Sequence, residues 1–267
     1  MPASERSKLR SRLETVMREA GALARATASR PFRQWTKGEE RSPVSEADIA
    51  VNELLRERLL ALTPSAGWLS EETEDSLAAR AMEQAWIVDP IDGTRAFISG
   101  RVDWTISVAL VENGRPAVAA LYAPVTDEMF LAARGRGAAL NGKPIRISSG
   151  DGLAGARFAG PKRYLERLEG LGRGILPQPK VHSLALRLAR VAQGEFDGAF
   201  ASGGSHDWDL AAADLLVHEA GGVMTDFAGR ALRYNRPDVV HGALIAAGPA
   251  RHGALVDLVR DRTREFA

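Results

Sequence analysis

Three acidic motifs in this chain have the residue types and spacing of a site for a hard cation. Glu71-Glu72 follows the apolar Gly67-Trp68-Leu69, and Asp89-Pro90-Ile91-Asp92-Gly93-Thr94 follows Trp86-Ile87-Val88. Trp208-Asp209 opens a segment that ends in Ala220-Gly221-Gly222. A carboxylate at the end of a buried strand is costly unless it is paired or bound to metal. Pro90 and Gly93 force a turn, so Asp89 and Asp92 can converge on one point. Mg²⁺ takes hard oxygen ligands and keeps several waters, which suits a few carboxylates drawn from separate segments. Two such ions about 4 Å apart can hold the attacking water and the leaving oxygen of a phosphoryl transfer. Backbone N–H groups at Gly93-Thr94, where a helix can begin, offer a place for the phosphate.

Each motif alone has a plainer reading. Asp-Pro and Asp-Gly form ordinary turns, Glu71-Glu72 reads as a solvated pair, and Asp209 reads as a helix N-cap. The combination favours the metal site.

The elements that must position these groups follow from periodicity. Ser4 can cap a first helix carrying Leu9, Leu13, Val16, Met17, Ala20 and Leu23, ending before Pro31. Thr36 to Pro43 reads as a mobile polar loop, and Ser45 opens a second helix. Trp86 to Val88 is a short buried strand. Thr105 to Val111 and Ala117 to Tyr122 are strands joined at Asn113-Gly114, a strong hairpin signal. Glu128 to Ala133 and Ile145 to Ser148 extend an antiparallel meander around Asn141-Gly142. Gly150 to Gly155 marks a seam between an α+β half (1–150) and an α/β half (151–267), expected to form one catalytic unit. In the second half, helices are expected over Ser183 to Gln193, Asp209 to Ala220 and Pro249 to Phe266. Strands are expected over Phe196 to Ala201, Val223 to Thr225 and Ala243 to Ala247. The fold class is a layered α+β and α/β sandwich.

A formal net charge of +1 gives no electrostatic case for a nucleic acid polymer or an anionic membrane. Arg260, Arg262 and Arg264 are interleaved with Asp261 and Glu265 and read as a solvated helix end. The chain has no cysteine, which excludes disulfides, thiolate metal sites and a cysteine nucleophile and fits a reducing cytoplasm. No apolar run is long enough for a signal peptide or a membrane helix.

The motifs together resemble the inositol monophosphatase family of lithium-sensitive, Mg²⁺-dependent phosphatases. The match runs through Val44-Ser45-Glu46-Ala47-Asp48, Glu71-Glu72, Asp89 to Thr94, and Trp208-Asp209 with Ala220-Gly221-Gly222. The resemblance implies an αβαβα sandwich, a homodimer and two or three Mg²⁺ ions. It implies that Glu71, Asp89 and the carbonyl of Ile91 hold a first ion, and that Asp89, Asp92 and Asp209 hold a second. Glu71 with waters would support a third. It further implies that Thr94, partnered by Asp48, orients the attacking water, and that the N–H groups of Gly93 and Thr94 hold the phosphate. Lys37, in the polar loop ahead of Asp48, is either the family's mobile lysine near the metals or an exposed loop lysine, and Glu72 is grouped with it as a candidate loop residue of the site. Hydrolysis would proceed by in-line attack of a water activated by the bound ions, without a covalent phosphoenzyme.

The implied substrate is a small phosphorylated metabolite. Arg95 follows Thr94 where inositol enzymes place another residue, and this looks more like the 3′(2′),5′-bisphosphate nucleotidase branch. Ser202 stands seven residues before Asp209, where inositol enzymes carry a glutamate that contacts ring hydroxyls. A small loop of Ser202, Gly203 and Gly204 leaves room for adenosine, and His206 in that loop either touches substrate or is a satisfied loop residue. The expected activity is therefore the nucleotidase, with inositol-1-monophosphatase next, histidinol phosphatase third, and a non-catalytic metal-binding protein last. His218 reads as packing, and His182 as a residue that just precedes a helix.

Overall fold

The structure is a computed structural model that describes residues 1–38, 41–262 and 266. In chain order the first half holds α1 (Ala3–Ala28), β1 (Gln34–Lys37), β2 (Ser42–Ser45), α2 (Glu46–Leu62), β3 (Gly67–Ser70), α3 (Leu77–Arg80), β4 (Gln84–Asp92), α4 (Thr94–Ile98), β5 (Thr105–Glu112), β6 (Arg115–Ala123), β7 (Glu128–Ala133), β8 (Ala138–Leu140) and β9 (Lys143–Pro144). The second holds β10 (Arg157–Ala159), α5 (Lys162–Gly170), β11 (Leu176–Pro177), α6 (Leu184–Ala192), β12 (Gly198–Ala201), β13 (Ser205–His206), α7 (Asp207–Glu219), β14 (Val223–Asp226), β15 (Val240–His241), β16 (Leu244–Ala247) and α8 (Pro249–Asp261).

Side-chain alternation along the strands builds the layers. In β4 to β7, Trp86, Val88, Val108, Leu110, Ala120 and Leu131 face one way, against α1 and α2. Ile87, Ala109, Leu121 and Phe130 face the other way, against α6 and α7. The second sheet repeats the pattern. Ala199 and Ala246 pack on α6 and α7, while Phe200 and Ile245 pack on Tyr164 of α5 and Leu255 of α8. The result is the expected αβαβα sandwich. Helices α6 and α7 form its central layer, between a seven-stranded sheet (β3-β4-β5-β6-β7-β8-β9) and a five-stranded one (β11-β10-β12-β16-β14). No described helix is long and apolar enough to cross a membrane.

Several local expectations are corrected. The loop expected over Thr36 to Pro43 is largely the β1–β2 hairpin, with Trp35 opposite Val44, and its residues 39 and 40 lie outside the described residues. The large sheet is not a pure meander, because β3 pairs with β4 in parallel. Beyond Asn141-Gly142 the pairing strand is Lys143–Pro144, and 145–148 form no strand. Helix α1 is preceded by Pro2 at its N-cap, so Ser4 lies within its first turn. Helix α8 ends at Asp261, and Arg264 and Glu265 lie outside the described residues.

The β5–β6 hairpin turns as its Asn-Gly pair demands, with φ of 51° at Asn113 and 73° at Gly114. A Cβ on Gly114 would also meet the carbonyl oxygen of Tyr234 at 3.3 Å. Gly114→Ala is therefore expected to lower stability by about 1–2 kcal/mol in urea unfolding, with activity per folded molecule unchanged. A loss below about 0.3 kcal/mol would show that the turn yields.

Candidate active site

Strand β4 delivers the central carboxylates. From Ala85 onward every residue of it is buried. Its register with β5 slips between Asp89, opposite Ser107, and Asp92, opposite Thr105. Pro90 lies within the slip and has no N–H to donate to the ladder, and such an irregularity re-aims side chains. Asp89 Oδ1 accepts the Ile91 N–H at 3.0 Å, which holds the turn closed. The next residue, Gly93, has φ of 94°, and a Cβ there would stand 3.3 Å from the Ser183 nitrogen. Only glycine meets both demands without strain.

Three helix N-termini converge on this turn. Asp92 accepts the Ser183 hydroxyl at 2.5 Å and the N–H groups of Leu184 (3.2 Å) and Ala185 (2.7 Å), at the start of α6. Asp209 is the third residue of α7 and accepts the His206 N–H at 2.6 Å. It is not the N-cap, since α7 begins two residues earlier than its sequence suggests. Asp48 is the third residue of α2 and closes a capping box with Ser45, whose N–H and hydroxyl it accepts at 2.8 and 2.6 Å. Helix N-termini favour anions, so each N-terminus offsets part of the cost of charging the buried carboxylate it holds.

Ligand oxygens of Asp89, Asp92 and Asp209 lie within 4.8 Å of one another. The Thr94 hydroxyl stands 3.1 Å from Asp48 Oδ1 and 3.0 Å from the Ile91 carbonyl, and its one proton can go to either acceptor. Glu71 stands beside the trio, where its charge acts on Asp89 and Asp209. The Lys37 ammonium reaches the Glu71 carbonyl (2.9 Å), Glu72 Oε1 (2.6 Å) and Glu71 Oε1 (3.4 Å). Lys37 is thus tied to the acidic pair and is not a free loop lysine.

Burial and crowding both oppose charge here. Burial first, then the charges of Glu71, Asp92 and Asp209, push Asp89 well above the usual carboxylate range. Burial, then Asp92, does the same to Asp209. Burial also raises Asp92, opposed by its bonds to Ser183 and the α6 N–H groups. Burial pushes Asp48 up to about 6, and pushes Glu71 up to about 7 against the pull of Lys37. Three all-oxygen donors meeting at one point, with one nearby ammonium, fit a divalent cation.

Two supports escape the sequence reading. Ser183 joins Asp92 to α6. Arg187, an arginine in the apolar run Leu184-Ala185-Leu186-Arg187-Leu188, donates to the carbonyls of Phe200 (3.2 Å) and Val181 (3.0 Å), and its charge favours ionised Asp92. A basic residue amid an apolar helix pattern was the available signal.

The expected substrate contacts are more peripheral. Arg95 is exposed on α4, and Ser202 and Gly203 are exposed in the loop between β12 and β13. His206 stacks on Trp208 at 4.5 Å and precedes α7. A cavity of about 540 Å³ bordered by Gly203, Gly242, Tyr164 and Phe227 lies behind that loop and does not include the acidic trio.

The sequence pattern of the inositol monophosphatase family matches residues 5–264. The inositol-1-monophosphatase of Rhizobium meliloti (strain 1021) is 36% identical over 195 residues, covering 70% of this chain and 73% of that one. Nus factor SuhB of Escherichia coli (strain K12) is 32% identical over 227 residues, covering 82% of each. The crystal structure of the extragenic suppressor protein suhB from Bartonella henselae superposes with a TM-score of 0.82 at 27% identity, covering 95% of this chain and 98% of that one. With its acidic turn, its Thr94–Asp48 contact and a match over nearly its whole length, the chain belongs to the inositol monophosphatase family of metal-dependent phosphoric monoester hydrolases.

Proposed function

We propose that the protein removes the 3′-phosphate of a 3′(2′),5′-bisphosphate nucleotide, using two or three Mg²⁺ ions. The observation that carries the substrate is the β12–β13 loop. Ser202, Gly203 and Gly204 are all exposed and offer no carboxylate for ring hydroxyls, which leaves space for a nucleoside. An absent hydrogen-bonding group can change substrate choice strongly. Arg95, exposed one residue past Thr94, adds positive charge toward a second phosphate.

The residues take the following roles in this reading. Glu71, Asp89 and the Ile91 carbonyl hold one ion, and Asp89, Asp92 and Asp209 hold another. When bound, Mg²⁺ supplies water activation and stabilises the departing oxygen. Gly93 and Thr94 N–H groups hold the phosphate. Thr94 orients the attacking water, and Asp48 accepts the proton relayed through the threonine hydroxyl. Lys37 and Glu72 fix the β1–β2 hairpin beside Glu71. The core shared by Ile87, Leu121, Leu188 and Ala246 supports a single catalytic unit built from both halves, 1–150 and 151–267. The protein works as a homodimer in the cytoplasm.

The name of the Rhizobium relative favours a second reading, in which the substrate is inositol 1-phosphate. Phosphate release with Mg²⁺ from 3′-phosphoadenosine 5′-phosphate and from inositol 1-phosphate, each with and without Li⁺, separates the two. A kcat/KM at least about tenfold higher for the nucleotide is expected, about 1.4 kcal/mol of discrimination, with inhibition by Li⁺. The reverse preference would establish the inositol reading.

A further inference from the structure

We infer that Asp207, bonded to His241, is a positioning residue for Asp209, and that this buried pair sets how tightly the site holds its ion there. The inference deepens the metal-site reading and rests on Asp209 as a ligand.

Asp207 is the first residue of α7, two before Asp209, and it is 0% exposed. The segment 234–241 grips it on several sides. Its Oδ1 lies 2.7 Å from His241 Nε2, and its Oδ2 accepts the Asn235 N–H at 2.6 Å. Its own N–H donates to the Val239 carbonyl at 2.9 Å. Just ahead of the helix, Ser205 and His206 pair with His241 and Val240. The His241 carbonyl also accepts the Gly204 N–H at 2.9 Å. His241 thus holds the β12–β13 loop by its backbone and the first turn of α7 by its ring.

The gripping segment is itself fixed from the other half of the molecule. Arg80, buried on α3, donates to Asn235 Oδ1 (3.2 Å) and to the carbonyls of Arg236 (2.8 Å) and Pro237 (3.4 Å). Asn235 Nδ2 donates back to the Arg80 carbonyl at 2.9 Å. Buried Tyr234 packs on the His241 ring, with centroids 5.4 Å apart.

Stability alone does not call for a carboxylate at position 207. A buried, paired carboxylate gains little over an apolar residue of like size. What the directional bonds add is geometry. The first N–H groups of a helix have no partner within it, so a first turn is free to fray. Two anchored oxygens fix both the axial position and the rotation of this one. Asp209 needs that, because its carboxylate accepts the His206 N–H at 2.6 Å and must also meet Asp89 and Asp92 within 4.8 Å. An ion site tolerates only about 0.5 Å of error in its ligands. A loosened first turn would swing Asp209 off the point where the three aspartates converge.

The test titrates Mg²⁺ calorimetrically into wild type, Asp207→Ala, His241→Ala, His241→Gln and Asp209→Asn, and melts each protein in EDTA. Asp207→Ala and His241→Ala should weaken Mg²⁺ binding at least about tenfold, the scale of loss when a group that orients a metal ligand is removed. His241→Gln, whose amide nitrogen can take the place of Nε2, should recover most of the affinity. If Asp207→Ala misfolds, the two His241 variants carry the comparison. A lower melting temperature in EDTA with Mg²⁺ affinity unchanged means a structural role only and overturns the inference. So does a His241→Gln that binds as weakly as His241→Ala, because the bond to Asp207 is then not the cause. Asp209→Asn separates the two failures. Weakened binding there, with unchanged binding in Asp207→Ala, overturns the inference alone. Unchanged binding in Asp209→Asn removes the ligand reading and the inference together.

Discussion

Replacing Asp92 by asparagine is expected to lower kcat/KM by about a thousandfold, roughly 4 kcal/mol of transition-state stabilisation. Asp92 contributes one of the three aspartates whose oxygens meet within 4.8 Å, and asparagine is a neutral, weaker donor to a hard cation. The same carboxylate also caps α6 through Ser183, Leu184 and Ala185. Asparagine keeps one oxygen acceptor there and turns an amide toward the remaining donor, which costs about 1–3 kcal/mol. Against that, neutralising position 92 relieves repulsion with Asp89 and Asp209, both of which its charge raises. The two effects oppose each other, so melting in EDTA should shift by only a few degrees. The rise in melting temperature on adding Mg²⁺ should shrink in parallel with activity. Retention of more than about a tenth of wild-type activity would remove Asp92 from the ligand set, since about 1.4 kcal/mol is too little for an essential ligand.

The acidic turn was legible because it combines two local signals. A buried apolar strand runs into Pro90 and Gly93, and each has a backbone consequence visible without the fold. The Asn113-Gly114 hairpin was legible for the same reason. The β1–β2 hairpin was not, because Gln34, Trp35 and Thr36 are all exposed and the strand is four residues long, too short for a period to be read. The parallel β3–β4 pair was missed because Gly67 to Ser70 is too short for its period to be read and its partner is remote in sequence. The helix α5 was missed because Gly160-Pro161 before it and Gly170, Gly172 and Gly174 at its end dominate the local pattern, although Tyr164, Leu165 and Leu168 do form a buried face. In the site, the ligands were legible by residue type, while their supports were not. Ser183 reaches Asp92 across 91 positions that only the fold closes, and Arg187 favours ionised Asp92 from the same helix. His182 does precede α6, as its sequence suggests, while its bond to Asp103, 79 positions away, was not legible.

Without a divalent ion the protein is expected to lose stability as pH rises from about 5 to 8, and Mg²⁺ should stabilise it far more at pH 8 than at pH 5.5. The sign follows from the direction of the carboxylate shifts. Asp48 and Glu71 titrate at about 6 and about 7 in the folded chain, and Asp89 and Asp209 are pushed well above the usual carboxylate range, each chiefly through burial. In the unfolded chain such groups titrate near 4. The folded state therefore binds more protons across this window, and its stability falls as those protons leave. Moving a carboxyl from near 4 to about 6, as for Asp48, corresponds to roughly 3 kcal/mol. A cation displaces the same protons, so its apparent affinity must rise with pH. The raw melting temperature mixes in other groups. A hydrogen bond to Asp214 raises His218, which adds to the loss, and burial lowers His252, which opposes it. Burial opposes, but hydrogen bonds to Arg157 hold Asp197 down to about 2, so it titrates below the window. The clean readout is the difference between Mg²⁺ and EDTA at each pH, because those distant groups cancel from it. An increment several degrees larger at pH 8 is expected in wild type, and Asp92→Asn should flatten it. Equal increments at the two pH values in wild type would mean that the ion binds away from the buried carboxylates, and the ligand set would have to be redrawn.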